Sequence, residues 1–169
     1  MSLDTKFYMQ LIANYQSAAT DFTTATALAN YAKLIPLATG TAANQADKYW
    51  SDQRTIAASS NDDLDLAGSL TELITGTLTF VRVKGIIVYA STANTNNVII
   101  GGSASNPLIN WVTGTNPAVV VRPGGLFCLI APDATGYAVT AGTGDILRLS
   151  NSGAGTTVTY DIHLIGASA

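Results

Sequence analysis

The chain has 169 residues, 47% of them hydrophobic, one cysteine and a formal net charge of −3. That apolar content suits one sizeable core and excludes a disordered chain, while Arg82 with Lys84, the densest basic pair, is too little for a nucleic-acid groove. From Gly85 onward only Arg122, Asp133, Asp145, Arg148 and Asp161 are charged; such a surface belongs in a membrane or against other subunits, and the longest apolar runs, Gly85 to Ala90 and Leu126 to Pro132, are far below the roughly 18 residues of a membrane helix.

At the N-terminus, MSLDTKFYMQ lacks the basic, apolar and cleavage regions of a secretory leader, so use without export by that route is expected. Thr5 to Tyr15 sets Phe7, Met9, Leu11 and Ala13 against Lys6, Tyr8, Gln10, Ile12 and Asn14. This alternation favours a strand over a nearly equal helix. Ala25 to Leu34 has helical propensity, and Pro36 would end that helix at Ile35. Thr39 to Ala46 is small and polar and reads as a loop or linker. Residues 1 to 45 are therefore expected to form an arm that packs elsewhere, on a neighbouring subunit, and residues 46 to 169 the main domain.

The cluster Asp62, Asp63 and Asp65 offers carboxylates to a hard cation such as Ca²⁺. It lacks the spacing and downstream Glu of an EF-hand loop, and a solvated turn leading into Leu64, Leu66 and Leu70 is the preferred reading. Ser69 followed by Glu72 has capping-box spacing and predicts one helical turn from Ser69 to Ile74. Thr77 to Ala90 is the longest strand candidate, with Gly85 marking a bulge or bend. Val98 to Ile100 adds a short strand.

Ala118 to Arg122 and Leu126 to Ala131 are apolar runs on either side of Pro123, Gly124 and Gly125, which suit a reversal. Cys128, between Phe127 and Leu129, reads as a buried small hydrophobe, and a lone cysteine forms no internal disulfide. In Asp145 to Ser150, Leu147 and Leu149 share one side, with Ile146 and Arg148 on the other. Val158, Tyr160, Ile162 and Leu164 alternate with Thr157, Thr159, Asp161 and His163, a strand with one apolar face. Asn151 to Gly155 (NSGAG) is predicted to join these last two strands as a hairpin. Turn clusters at Ser91 to Asn97, Gly101 to Pro107, Thr113 to Pro117 and Pro132 to Gly136 complete the spacing. The fold class is mainly β, an antiparallel, jelly-roll-like β-sandwich with an N-terminal arm.

Candidate chemistry is sparse. His163 is the sole imidazole, and Asp161 shares its strand face; catalysis would also need a nucleophile and an oxyanion site, and GxSxG is absent. A structural or surface histidine is the expectation. Gly101-Gly102 and Gly142-Thr143-Gly144 do not match a phosphate loop and read as hairpin corners. Trp50 and Trp111, with Tyr49, could form a sugar-stacking platform. Core or interface anchoring is the preferred role for them.

The string TGTAANQADKYWSDQRTIAASSNDDLDLAGSLTELIT, from Thr39 to Thr75, with VKGIIV, VVVRPGGLFCLIAPDATGYAVTAGTGDILRLSNSG and TYDIHLIGAS, resembles a group of small virion proteins of tailed bacteriophages. The likeness is densest in ANQAD with WSDQRT, DLDLAGSL, RPGG, APDATGYAVTAGT, and the final YDI with IGAS; it runs from about Gly40 to the end and leaves residues 1 to 38 unmatched. The resemblance implies a β-sandwich structural subunit of a virion and no enzyme. Capsid decoration is its first implication, and a tail, baseplate or fibre component the second. The expected partners are copies of the chain itself and other virion proteins such as the major capsid protein, with no nucleic acid, membrane, cofactor or metal. A glycan- or receptor-binding module using Trp50, Trp111 or Tyr137 is a further alternative, and a hydrolase using His163 and a serine the last.

Overall fold

The computed structural model describes residues 2–18, 24–72, 76–102, 105–114 and 117–169. Among the described residues there is no helix, hence none that could cross a membrane. In chain order the strands are β1 (Thr5–Gln16), β2 (Thr26–Thr39), β3 (Gln45–Ala46), β4 (Lys48–Ile56), β5 (Asn61–Asp65), β6 (Leu70–Glu72) and β7 (Gly76–Leu78). They continue as β8 (Arg82–Ala90), β9 (Val98–Gly101), β10 (Ala118–Val121), β11 (Leu126–Ile130), β12 (Tyr137–Ala138), β13 (Ile146–Asn151) and β14 (Val158–Ala167).

Two sheets form the body. One has the order β11-β8-β14-β4, with β12 also on β8, and the other β10-β9-β13-β5. Their pairings are antiparallel. Setting aside the short β6, β7 and β12, the chain passes from β4 to β5, back to β8, across to β9 and β10, back to β11, and then to β13 and β14. That is the strand order of two Greek keys wound into a jelly roll. Period-two patterning explains the packing: Ile86, Val88, Tyr160, Ile162 and Leu164 face inward from the first sheet. Leu64, Val98, Ile100, Leu147 and Leu149 meet them from the second. The predicted apolar faces of the last two strands are thus the core.

These two strands are not a hairpin. β13 pairs with β5 and β9, whereas β14 pairs with β4 and β8, so NSGAG carries the chain from one sheet to the other. Both strands have one strongly apolar face, and facing each other across the core buries both. Asn151 fixes the crossing, its amide donating to the Ala57 and Thr156 carbonyls at 3.2 and 2.8 Å. The PGG reversal likewise joins β10 and β11 in opposite sheets, with Gly124 at φ 73°.

Thr77 to Ala90 is not one strand: it divides into β7 and β8, and the bulge falls beside Gly85 at Lys84. Ile165 pairs with Gly85 and Gly166 with Val83, which leaves Lys84 as the extra residue. Burial then ceases to alternate, and Val83 through Ile86 are all buried. The predicted helical turn from Ser69 is absent, because Leu70–Glu72 pairs with Gly76–Leu78 and the Ser69 hydroxyl donates back to the Asp65 carbonyl at 3.3 Å. Leu73 and Ile74 lie outside the described residues.

The helix expected from Ala25 to Leu34 is also a strand. β2 runs through Pro36 and pairs with β1 residue for residue, from Thr5 opposite Leu37 to Gln16 opposite Thr26. The cross-strand ladder overrides the helical propensity of Ala and Leu. Pro36 is tolerated because the Ala38 N–H points away from β1, to the Asn44 carbonyl at 2.9 Å. With alternation, the Pro36 nitrogen faces that same side, where β3 reaches only Ala38 and Thr39. The loop expected from Thr39 to Ala46 is confined to residues 40–44, since Thr39 ends β2 and Gln45–Ala46 pair with it as β3.

Candidate functional site

Eight of the twelve large exposed apolar side chains among the described residues lie on the β1–β2 hairpin. Its root is anchored: Leu37, Ala46 and Ile165 form a small buried cluster, joined by Leu3 and Tyr49. The Thr39 hydroxyl donates to the Leu3 carbonyl at 2.6 Å, and the Asn44 N–H to the Pro132 carbonyl at 2.6 Å. Lys84, fully buried, sends its Nζ to the Ala42 carbonyl at 2.5 Å and to that of Thr41 at 3.4 Å. Burial, reinforced by the Arg82 charge, lowers the pull of this amine for its proton, while Asp133 and Asp47 act the other way. The Arg82–Lys84 pair is therefore no basic patch; Lys84 is a buried strut, and Arg82 donates to the Ala134 carbonyl.

Beyond the root the hairpin stands clear of the sandwich. Cross-strand partners share a face and alternate residues change face. Met9, Leu11, Tyr15 and Tyr31 lie on one face, and Tyr8, Ile12, Leu28 and Leu34 on the other. All eight are between 45 and 79% exposed. From Phe7 to Ala32 the described residues carry no charge. A hairpin of two strands is marginal alone in water.

The sandwich has two open sides of opposite character. On one, the edge strands β4 and β5 are joined by charge: Arg54 donates to Asp62 at 2.5 and 3.0 Å, and Tyr160 Oη donates to the same carboxylate at 2.7 Å. Burial pushes the Asp62 carboxyl up, but Arg54 and Tyr160 outweigh it and hold it below the ordinary 3.8. The Tyr160 phenol, buried and bonded to that carboxylate, is held far above its usual range. Asp63 takes Arg148 at 2.6 and 2.7 Å, and Asp65 accepts from the Ala67 N–H at 2.9 Å. The three aspartates are therefore a strand with separate partners, where a solvated turn was predicted. Among the described residues no group of three or more His, Cys, Asp or Glu is placed to hold a metal. On the other side, the edges β10 and β11 carry no charge, and Val120 and Leu126 are exposed.

Asp62→Asn is expected to cost about 2 kcal/mol at neutral pH, the scale of hydrogen bonds to a charged group. The folded pKa is depressed, so this stability is present above the ordinary carboxylate value and lost as pH falls through the folded one. Thermal melts of wild type and variant should separate at pH 7 and converge below about pH 4. Equal melting temperatures at pH 7 would remove the bridge from the account.

His163 and Asp161 do share the outer face of β14, but they bond to different groups. His163 Nδ1 meets Tyr49 Oη at 2.8 Å, with the rings stacked at 6.1 Å, and Asp161 accepts from Gln53 Nε2 at 2.8 Å. Ser51 lies opposite His163 in the register and lines the same shallow groove. Among the described residues no serine hydroxyl is hydrogen-bonded to His163, the contact a base-activated nucleophile requires.

Trp50 and Trp111 are 7 and 8% exposed. Trp111 donates to the Leu108 carbonyl at 2.8 Å and meets Phe127 edge-on at 5.6 Å. The two indoles are core anchors and offer no stacking platform; Tyr137 is half-buried against the same core. Cys128 is half-buried beside Ile87, and burial raises its thiol pKa, which keeps it a poor nucleophile. Gly101 and Gly102 end β9 with positive φ, as a corner requires, and Gly142 sits in the turn closed by Thr140 and Gly144. Arg148 stands mid-strand in β13 opposite Asp63.

Sequence reasoning left two features of this site unseen. The strut at Lys84 acts on main-chain carbonyls more than forty positions earlier, for which no side-chain motif exists. The second apolar face of the hairpin had only a partial signal, the low charge from Phe7 to Ala32, where Asp21 is the one charged residue. Comparison of the chain with protein-family models, with curated proteins and with solved structures gives no match.

Proposed function

We propose that this chain is a structural subunit of a tailed-phage virion, a capsid decoration protein that acts by packing against copies of itself and against the major capsid protein. The observation that carries this reading is the hairpin with two exposed apolar faces, rigidly rooted in a jelly roll by Lys84, Leu37 and Ile165. An anchored surface of this kind does mechanical work: it joins subunits. The charge-free edges β10 and β11 add to it, since unguarded edges are strand-pairing surfaces. The sequence resemblance from Gly40 onward supplies the virion; the fold and the hairpin support a packing role within it.

The test is the protein's position in a particle. Antibody raised against the chain and coupled to gold should label the capsid shell of particles purified from producing cells. Label confined to the tail or its tip would move the assignment to a tail, baseplate or fibre component. Particles with no label would overturn the virion reading.

A further inference from the structure

We propose that the β1–β2 hairpins of three or more copies pack around a shared axis, each hairpin laying one apolar face on the opposite face of the next. This deepens the structural-subunit reading by naming the partner of the hairpin as another copy of the chain and the contact as head-to-tail.

Two observations lead there. The first is area. With roughly 200 Å² for a large side chain, the eight exposed residues present on the order of 900 Å² of apolar surface. In a head-to-tail ring one contact takes about half of that from each partner, less than the roughly 800 Å² of a standard interface, and each chain buries the whole only through its two contacts. That whole exceeds the largest apolar patch on an ordinary monomer, about 300 to 600 Å². The second is distribution. The exposed area is shared evenly by the two faces: Leu11 and Tyr15 dominate one, at 63 and 79%, and Ile12 and Leu28 the other, at 60 and 68%.

A two-fold dimer packs a surface against its own copy and would cover one face while leaving the second in water. A head-to-tail contact uses both faces of each chain and closes into a ring when the rotation allows it. The occupant is a copy of the chain because each face offers only one lysine, Lys6 or Lys33, both towards the root, and among the described residues no charge beyond them by which a foreign partner would be selected. Every copy, moreover, carries both complementary halves of the contact. Lys33, the first charge beyond the apolar stretch, sits opposite Met9 near the root, at the margin of the packed surface.

Three samples of the full chain test this by light scattering and sedimentation at high micromolar concentration: wild type, Leu11→Asp on one face, and Ile12→Asp on the other. Both positions are exposed, so the melting of the sandwich should be unchanged, which confirms that each variant is folded. Wild type should have the mass of three or more chains, and each variant that of one. An equimolar mixture of the two variants should give the mass of two chains, because each supplies the face that the other lacks and only one intact contact can form. Wild type at one or two chains, a variant that keeps the wild-type mass, or a mixture that stays at one chain would each overturn the proposal. Flotation of wild type, but of neither variant, with phosphatidylcholine vesicles would overturn it too, by giving the faces to a bilayer. A monomeric wild type whose antibody still labels particles would remove the ring and leave the virion reading standing.

Discussion

Gly166→Ala should be the most damaging single-methyl change in the chain, costing about 4 kcal/mol or preventing folding. A Cβ at Gly166 would overlap the Arg82 carbonyl oxygen and lie 2.5 Å from Phe80 Cδ1. The oxygen belongs to the main chain of β8, and Phe80 is fully buried, so neither can step aside. The position is also where β14 changes register against the bulge at Lys84. On the scale of about 2 to 4 °C per kcal/mol for a domain of this size, the melting temperature should fall by roughly 10 °C or more. A melt within two or three degrees of wild type would show that the bulge relaxes around the methyl, and the close approach would lose its role. Gly68→Ala, where the added carbon meets nothing, is the matched control.

The second large effect is expected at Lys84. Replacement by Ala empties the space of a four-carbon stem and leaves the Thr41 and Ala42 carbonyls without their donor, at a cost of about 3 kcal/mol. Lys84→Met keeps most of the stem and removes only the amine, so it should fall between Ala and wild type. Met equal to or above wild type would mean that burying the ammonium costs as much as its two bonds return. The pH dependence has a definite sign. The folded pKa is lowered from 10.5, so the unfolded chain binds the proton more tightly. The Lys84 contribution therefore rises as pH climbs from the folded value towards 10.5, and wild type should gain on Met across that window. A gap that narrows with rising pH would contradict the assignment.

These two residues also show how far the sequence could be read. The alternation at Val158 to Leu164 and at Leu147 and Leu149 depends only on which side of a strand faces the core, and it holds in the structure without exception. Which strand lies beside which is a longer-range matter. NSGAG looks like a hairpin turn in isolation, and only the burial of two apolar faces against one another sends it across the sandwich. Ala25 to Leu34 and Ser69 to Glu72 fail for a related reason: propensity and capping spacing are local, and the ladders to Thr5–Gln16 and Gly76–Leu78 are not. Asp62 and Asp63 look like a solvated cluster until Arg54 and Arg148 are brought to them by pairing. The hairpin was half legible. Phe7 to Ala13 showed its apolar alternation, but its second strand was hidden behind alanines and a proline.

The central claim is that the hairpin of β1 and β2 is a joint between subunits, covered on both faces in the working state. Amide hydrogen exchange on the full chain at high micromolar concentration tests it most directly. The amides that donate between β1 and β2 should exchange as slowly as those of β8 and β14 in the core, and should lose that protection on dilution to the monomer. Fast exchange throughout Thr5–Gln16 and Thr26–Thr39 at every concentration, with β8 and β14 protected, would contradict it: the hairpin would then be an uncovered appendage, and the joint would have to lie elsewhere.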